Sequence, residues 1–248
     1  MTKGKIHIGV GGWTFEPWRG TFYPAGLPQA RELEYAGQHL TAIEINGTFY
    51  RTQTVASFQK WRDTVPEGFV FSLKASRFCT NRKVLAEAGE SIGKFVDSGI
   101  TELGGKLGPI LWQLAATKKF DPDDMTAFLS LLPAEHGGVT LRHAIEPRHE
   151  SFADPAFVAM AQAHNLAIVY AEHETYPRFE EQTADLTYAR IQQAREELTE
   201  GYSDAELDRL ADQALDWAAN GRDVFLFFIS GDKVRNPAAA QALIARLG

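Results

Sequence analysis

Residues 6–15 read IHIGVGGWTF, a mostly apolar run that ends in two glycines and a tryptophan. Such a run, followed at once by turn-forming glycines, is typical of a buried parallel strand and its loop. Two α/β folds begin this way, the open doubly wound sheet and the (β/α)8 barrel. A dinucleotide-binding sheet carries the spacing G-x-G-x-x-G at this turn, and GVGGWTF lacks it. The stretch therefore favours the barrel.

Seven further β-prone runs follow the first strand, residues 6–10, and segments with helical periodicity separate them. They cover residues 41–46, 69–74, 109–114, 140–148, 166–172, 186–192 and 224–230. Several are nearly continuous in apolar residues, as strands buried on both faces tend to be. Eight strands interleaved with helices predict one domain, residues 1–248, folded as a single (β/α)8 TIM-type barrel of the α/β class.

Helix signals lie between these strands. Residues 55–65 carry apolar side chains at spacings of three and four, which predicts one buried helix face. Ser203 and Glu206 have the spacing of a capping box and predict a helix start. Asp154 and Asn236 each precede a proline, so each is expected to cap a helix that begins with that proline.

The composition excludes several classes of protein. The net charge is −7 and the basic residues form no run, which disfavours duplex nucleic acid as the main partner. The single cysteine, Cys79, cannot form an internal disulfide. No apolar run is long enough to span a bilayer, and the first residues do not resemble a signal peptide. We expect a cytoplasmic protein without a membrane partner, a monomer or weak homodimer that binds a small molecule.

Polar side chains stand at the carboxyl ends of the predicted strands, where the active face of a TIM-type barrel lies. They are Glu44, Asn46, Lys74, Gln113, Glu146, Arg148, Glu172, Tyr188, Arg190 and Asp232. Some could be structural: Glu44 with Lys74 and Glu146 with Arg148 could form buried ion pairs. Carboxylates, a lysine and two arginines that converge on one rim nevertheless indicate a site.

The first hypothesis is an enzyme of the hydrolase or lyase type that acts on a small polar or anionic, sugar- or phosphate-like, substrate. Glu44 and Glu146 are the candidates for general acid and base, and Lys74 completes the predicted catalytic set. Arginines suit an anionic substrate because their planar fork binds carboxylate or phosphate with two hydrogen bonds. The predicted substrate-binding residues are Trp13, Asn46, Tyr50, Gln113, Arg148, Glu172, Tyr188, Arg190 and Asp232.

Two alternatives stay open. One is a metal-dependent phosphodiesterase or repair nuclease, with a divalent cation held by Glu44, Glu146 and Glu172. The acidic net charge and the absence of an HExxH or HxH pattern argue against it, and no cofactor is predicted. The other is a non-catalytic barrel that binds a ligand or a protein partner, for which the acid-rich residues 191–210 are a candidate contact.

The loop after the first strand, residues 11–24, is rich in aromatic residues. We expect Trp13, next to the strand end, to form a wall of the site. Trp18 and its aromatic neighbours should instead pack the following segment over the barrel rim, and Glu16 and Arg19 should pair at the surface.

Six stretches in this order resemble the YecE-like family, also called domain of unknown function 72. They are residues 9–28, 44–69 (which begin EINGTFYR), 71–77, 103–114, 146–152 and 183–191. The resemblance implies a TIM-type barrel and no established reaction. The chain departs from the family pattern at residues 190–193, RIQQ, where the family tends to have R-L-H-G. It departs again at residues 113–116, QLAA, and at residues 230–232, SGD.

Overall fold

The predicted strands form one parallel sheet in a computed structural model that describes residues 3–248. The strands are β1 (Ile6–Gly11), β2 (Ala42–Ile45), β3 (Val70–Lys74), β4 (Leu107–Gln113), β5 (His143–Glu146), β6 (Ala167–Ile168 and Tyr170–Glu172), β7 (Leu186–Ile191) and β8 (Asp223–Phe228). Each strand pairs with its neighbours in the chain, and β1 pairs with β8. The first segment of β6 pairs with β5 and the second with β7, so the sheet closes as a barrel, as predicted.

In the described chain, helices follow every strand except β6, after which residues 173–185 form a loop, and they cover the outside of the barrel. They are α1 (Glu32–His39), α2 (Gly47–Tyr50), α3 (Val55–Thr64), α4 (Arg77–Thr80), α5 (Gly89–Val96), α6 (Pro122–Ser130), α7 (Pro155–Ala163), α8 (Asp204–Trp217) and α9 (Asn236–Leu247). Within residues 3–248 none of these helices combines the length and the apolar character needed to cross a membrane.

The core has two parts because side chains along each strand alternate between the two faces of the sheet. The larger part lies between the barrel and the helices. The smaller part fills the barrel interior with alanines and a few large rings, among them Tyr188, Phe225 and Phe227. Interior side chains at the carboxyl ends of the strands are polar instead, and they form the candidate site.

Three helix starts were predicted, and two are confirmed. Ser203 and Glu206 form the capping box of α8, and Asp154 accepts from the backbone N–H of Ala156 at the start of α7. The prediction for Asn236 is wrong, because α9 begins at this residue and Arg235 is its N-cap. The Asn236 amide is buried and donates to the Ser230 carbonyl oxygen at 3.3 Å, so it fixes the preceding turn.

The fifth strand is shorter than predicted. Residues 139–140 belong to an antiparallel hairpin with residues 135–136, and β5 itself holds only His143–Glu146. Gly137 and Gly138 have φ values of +57° and +78°, which glycine adopts readily. Two consecutive left-handed residues suit a tight hairpin turn, and this turn takes residues 139–140 out of the barrel strand.

The aromatic loop after β1 closes the rim of the barrel as predicted. Trp18 is fully buried and its indole Nε1 donates to the Lys233 carbonyl oxygen at 2.8 Å, which ties this loop to the one after β8. Arg19 pairs with the buried carboxylate of Glu32 at 2.8 Å, so the expected pair with Glu16 is wrong.

Candidate active site

A guanidinium group lies at the centre of the polar cluster. Arg190, on β7, is 3% exposed. Its Nε and Nη2 donate to the two carboxylate oxygens of Glu44, on β2, at 3.1 and 3.2 Å. Its Nη1 donates to both oxygens of Glu146, on β5, at 2.7 and 3.0 Å. Burial alone would lower the pKa of Arg190, but the two carboxylates outweigh it and raise that pKa, so the group stays charged.

Glu146 is the most heavily hydrogen-bonded carboxylate of the cluster. Besides Arg190, it accepts from Arg148 Nε and Nη2 at 3.1 and 3.0 Å and from Gln113 Nε2 at 2.7 Å. Burial would raise its pKa, but Arg190 and the other donors outweigh burial and hold the pKa below its ordinary value of 4.5. Glu146 is therefore ionised at neutral pH, which makes it a poor proton donor.

Glu44 is held from a second side by a hydroxyl group. Tyr188 Oη, inside the barrel on β7, donates to Glu44 Oε2 at 2.8 Å. The same Oη lies 2.8 Å from Ser72 Oγ, and Ser72 Oγ donates to the Pro109 carbonyl oxygen at 2.7 Å. Burial raises the pKa of Tyr188 well above 10.0, and the nearby Glu44 charge raises it further. These contacts fix the orientation of the Glu44 carboxylate.

Among residues 3–248, Lys74 is a buried cation of the cluster that lacks a carboxylate partner. The residue is 7% exposed, and among residues 3–248 its Nζ makes no hydrogen bond or ion pair. The ammonium lies 4.2 Å from the centroid of the Phe49 ring. Burial, with a smaller contribution from Arg190, lowers the pKa of Lys74 to about 8, because Glu44 and Glu146 only partly oppose these effects.

The charges of the cluster do not cancel. Two carboxylates, Glu44 and Glu146, face three cations, Arg148, Arg190 and Lys74, so the net charge is +1. An excess positive charge in a partly dry site attracts an anion.

The short helix α2 explains part of the EINGTFYR motif. Thr48 Oγ1 donates to the carbonyl oxygens of Ile45 and Lys74, at 3.0 and 2.7 Å, and so holds α2 across the ends of β2 and β3. This position brings Phe49 against the Lys74 ammonium. Local sequence therefore sets the surroundings of Lys74 on one side.

Three predicted site residues lie away from the cluster. Glu172 points to the outer face of β6, where Arg209 of α8 donates to its Oε1 at 3.1 Å. Tyr50 is 65% exposed. Asp232 accepts from the backbone N–H of Val234 at 3.1 Å and shapes the turn before α9.

The structure does not bring Glu172 together with Glu44 and Glu146, so the divalent-cation site suggested for these three residues does not form. Alternation along β6 is the reason, because Ala171 faces the barrel interior and the next side chain faces the helices. In the described range, 3–248, no group of three or more His, Cys, Asp or Glu side chains is arranged to hold a metal ion.

Several residues near the barrel mouth were not predicted. Ser72 lies two residues before Lys74 on the same strand face, and this spacing could have predicted that Ser72 faces the site. Gln192 follows Arg190 by two in the same way. Its Nε2 is buried and, within the part of the chain described, has no hydrogen-bond partner. Arg51, Trp61 and Lys233 line a cavity at the mouth that also holds the predicted residues Trp13 and Asn46.

Replacing Tyr188 with phenylalanine is expected to lower the free energy of unfolding by about 1–3 kcal/mol, since buried Glu44 Oε2 loses a donor. Urea unfolding measures this change. Tyr50→Phe is the matched control, because its ring is exposed and should leave stability unchanged. Equal stability of the two variants would contradict the role given to Tyr188.

Fold and site together define a TIM-type barrel whose C-terminal face holds a buried carboxylate–guanidinium network and a lysine that has no carboxylate partner among residues 3–248. The family profile described as "Protein of unknown function DUF72" matches residues 7–248. The chain belongs to the DUF72 family, which confirms the resemblance seen in the sequence.

One curated relative is the UPF0759 protein YunF of Bacillus subtilis (strain 168), 25% identical over 158 residues. That match covers 61% of this chain and 54% of the relative, so it spans about half of the relative's length.

Solved structures share the fold. A DUF72 family protein of Thermotoga maritima MSB8 is 22% identical, with a TM-score of 0.76 and 97% of each chain covered. A DUF72 family protein of Enterococcus faecalis V583 is 17% identical, with a TM-score of 0.75 and 99% of each chain covered. The 3-keto-D-glucoside 4-epimerase YcjR of E. coli is more distant, at 15% identity and a TM-score of 0.54 over 99% of each chain. At these identities the likeness shows the fold alone.

Proposed function

We propose that the protein is an enzyme of the lyase or isomerase type that moves a proton on a small anionic or sugar-like carbonyl compound, with Lys74 as the acid–base group. The observation that carries the proposal is the buried Lys74 side chain, whose ammonium has no hydrogen-bond partner among residues 3–248 and whose pKa is about 8. Such a group is suited to accept and return a proton near neutral pH.

The lowered pKa changes how often Lys74 is ready to act as a base. With a pKa of about 8, roughly one tenth of the molecules carry the neutral amine at pH 7. An ordinary lysine is neutral in fewer than about one in a thousand molecules at that pH. The neutral form is the one that accepts a proton.

The carboxylates support a lyase or isomerase over a hydrolase. A hydrolase that uses two carboxylates needs one of them protonated, as general acid. Arg190 donates to both Glu44 and Glu146, and the pKa of Glu146 is lowered. We therefore assign Glu44 and Glu146 to the positioning of Arg190, and Arg190 and Arg148 to the stabilisation of negative charge on the substrate.

The substrate class follows from charge and from chemistry. The net charge of +1 favours a carboxylate or phosphate on the substrate. Proton abstraction by an amine requires an acidic C–H bond, such as one next to a carbonyl group. The distant fold neighbour whose name is 3-keto-D-glucoside 4-epimerase acts on such a sugar. That analogy supports the substrate class only by fold, and barrels host many reactions.

Deuterium exchange tests the proposal without knowledge of the product. The protein is incubated in D2O with a panel of keto sugars, sugar phosphates and keto acids, and NMR follows loss of the C–H signal next to the carbonyl. We expect exchange with at least one compound, and a rate at least about 100-fold lower in Lys74→Met. Lys94→Met, which removes an exposed lysine of α5, is the matched control and should exchange at the wild-type rate.

Two outcomes would contradict the proposal. One is full exchange activity in Lys74→Met, which would assign the proton transfer elsewhere. The other is no exchange with any compound of the panel. A neutral amine could also attack a carbonyl carbon and release water to form an imine. Borohydride reduction with intact-mass measurement would reveal that route as a covalent adduct on Lys74.

A further inference from the structure

A cavity of about 360 Å³ opens at the barrel mouth on the side of β1 and β2. It is lined in part by Trp13, Asn46, Arg51, Gln53, Trp61 and Lys233. No aspartate or glutamate is among its lining residues in the described chain. The cavity therefore combines two aromatic rings, two amides and two cations, without a compensating negative charge.

The aromatic walls of this cavity are held rigidly. The Trp13 and Trp61 rings meet edge to face, with centroids 5.3 Å apart and an interplanar angle of 76°. Trp13 also packs edge to face on Phe71, at 6.4 Å. Tyr23 Oη donates to the Trp13 backbone carbonyl at 2.6 Å and anchors its main chain. A fixed indole is a suitable surface for the apolar face of a sugar ring.

The two cations are available for a ligand. In the described part of the chain, the Arg51 guanidinium and the Lys233 ammonium make no hydrogen bond or ion pair. Lys233 Nζ lies 4.3 Å from the centroid of the Phe15 ring. The Lys233 backbone is fixed by the hydrogen bond from Trp18 Nε1. Their positive charges stand in a chain whose net charge is −7, so this concentration of positive charge is local.

The cavity adjoins the polar cluster through Asn46. Asn46 follows Glu44 by two residues, and its Nδ2 lies 3.5 Å from the Glu44 carbonyl oxygen. A Cβ atom at Gly11 would lie 3.1 Å from the same Nδ2, so glycine at this position leaves room for the amide at the mouth. A ligand in the cavity would lie beside the end of β2.

We propose that this cavity is the subsite that binds the anionic end of a monosaccharide-sized ligand, a sugar acid or a sugar phosphate. The ring packs on Trp13, and Arg51 and Lys233 bind the carboxylate or phosphate. This inference rests on the proposed function for its substrate class. It assigns to Arg51, Trp61 and Lys233 the role of selecting the substrate.

A second cleft at the same face is the main competitor. It has a volume of about 670 Å³ and contains Arg82, Lys83, Lys118 and Lys119. Lys118 is already bound to Asp124 and to the Lys83 carbonyl oxygen, and Asp121 also lines the cleft. Its exposed cations, Lys83 and Lys119, provide a matched control with the same loss of charge.

Ligand binding tests the proposal. Tryptophan fluorescence and calorimetry are measured with glucose 6-phosphate, gluconate, glucose and inorganic phosphate as probes. We expect glucose 6-phosphate or gluconate to bind and to change the fluorescence, with the better of the two showing which anion is preferred. The double variant Arg51→Gln/Lys233→Gln should bind at least about tenfold more weakly, because two charge-assisted contacts are lost.

The controls separate this proposal from the proposed function. Lys83→Gln/Lys119→Gln should bind the probe as wild type does. Probe binding is measured apart from proton exchange, so loss of exchange in Lys74→Met bears on the proposed function and not on the subsite. Arg51→Lys in place of Arg51→Gln should restore part of the affinity, which a folding defect would not. Four results would overturn the subsite: unchanged affinity in the Arg51/Lys233 variant, lost affinity in the Lys83/Lys119 variant, glucose bound as tightly as its phosphate, or no probe bound.

Discussion

Replacing Arg190 with methionine is expected to lower the free energy of unfolding by about 3–5 kcal/mol at pH 7. The guanidinium donates to both oxygens of Glu44 and to both oxygens of Glu146, and all three side chains are buried. Methionine fills a similar volume but leaves two carboxylates in the barrel without their main partner. The cost of a buried unpaired charge is several times larger than that of a lost surface ion pair.

The pH dependence of this variant gives a sharper test. In the wild type the pKa of Glu146 is below 4.5, so its stabilising contribution is present above that pH and is lost as the pH falls through the lowered pKa. Arg190→Met removes this contribution. The difference in unfolding free energy between wild type and variant should therefore be largest near neutral pH and should shrink below about pH 4.

A triple variant provides the control for Arg190. Adding Glu44→Gln and Glu146→Gln to Arg190→Met removes both charges and should recover a large part of the lost stability. Guanidine or urea unfolding curves of the three proteins measure it. If Arg190→Met is as stable as wild type, or if the triple variant is no better than the single one, the network does not stabilise the barrel in the way its geometry indicates.

Much of the barrel could be predicted because each strand is a short apolar run bounded by turn residues. The same strand geometry predicts which polar residues share a face, since residues two apart on a strand point the same way. Glu44, Lys74, Glu146 and Arg190 all stand near the ends of such runs, and the structure places these four in one cluster. Their position could be inferred from chain order alone.

One ion pair of the cluster, Glu146 with Arg148, could be predicted and is present in the structure, but the partner of Glu44 could not. The sequence allows Glu44 to pair with Lys74, but Arg190 on β7, three strands away from β2 around the sheet, takes that place. The pairing depends on the relative shift of β2, β5 and β7 around the closed sheet, which no local pattern encodes. Because Arg190 pairs with both carboxylates, the positive charge of Lys74 is left uncompensated. This charge, on which the proposed function rests, is therefore a property of the closed barrel.

Glu172 shows a second limit of sequence reasoning. In residues 166–172, LAIVYAE, both faces of the strand are apolar, so period-two alternation gives no sign of which face is inside. The structure places the small residues Ala167, Val169 and Ala171 inside the barrel. Glu172 consequently lies on the helix side with Arg209. A strand buried on both faces carries no polarity signal before its last residue.

Replacing Lys74 with methionine is expected to make the protein more stable at pH 7, by about 1–3 kcal/mol, while it abolishes the proposed proton transfer. Lys74 lowers the stability of the folded state because burial lowers its pKa from 10.5 to about 8, which means that the folded state disfavours the ammonium form. Without Lys74, the two carboxylates face only Arg148 and Arg190, and the charges of the cluster balance. Methionine can also pack on the Phe49 ring that the ammonium now contacts.

The gain from Lys74→Met should depend on pH in a defined direction. Below pH 8 Lys74 is mostly protonated in the folded and unfolded wild type, so the full penalty is present. Between about pH 8 and 10.5 the folded wild type has released its proton and the unfolded chain has not, so wild-type stability rises relative to the variant. The difference between the two proteins should therefore close over this interval. Cys79, whose pKa burial raises from 9.0 to about 12, acts in the opposite direction above pH 9, but equally in both proteins.

Urea unfolding at pH 7 and at pH 10, together with deuterium exchange, measures both effects of Lys74→Met on the same preparation. Lys94→Met should change neither, because that lysine is exposed and pairs with the exposed Glu90 in the preceding turn of its helix. Replacing a residue that stabilises the fold lowers the stability of the protein. Replacing a residue that serves the reaction and destabilises the fold raises it. A less stable Lys74→Met protein would therefore identify the lysine as a structural cation of the network and remove it from the reaction.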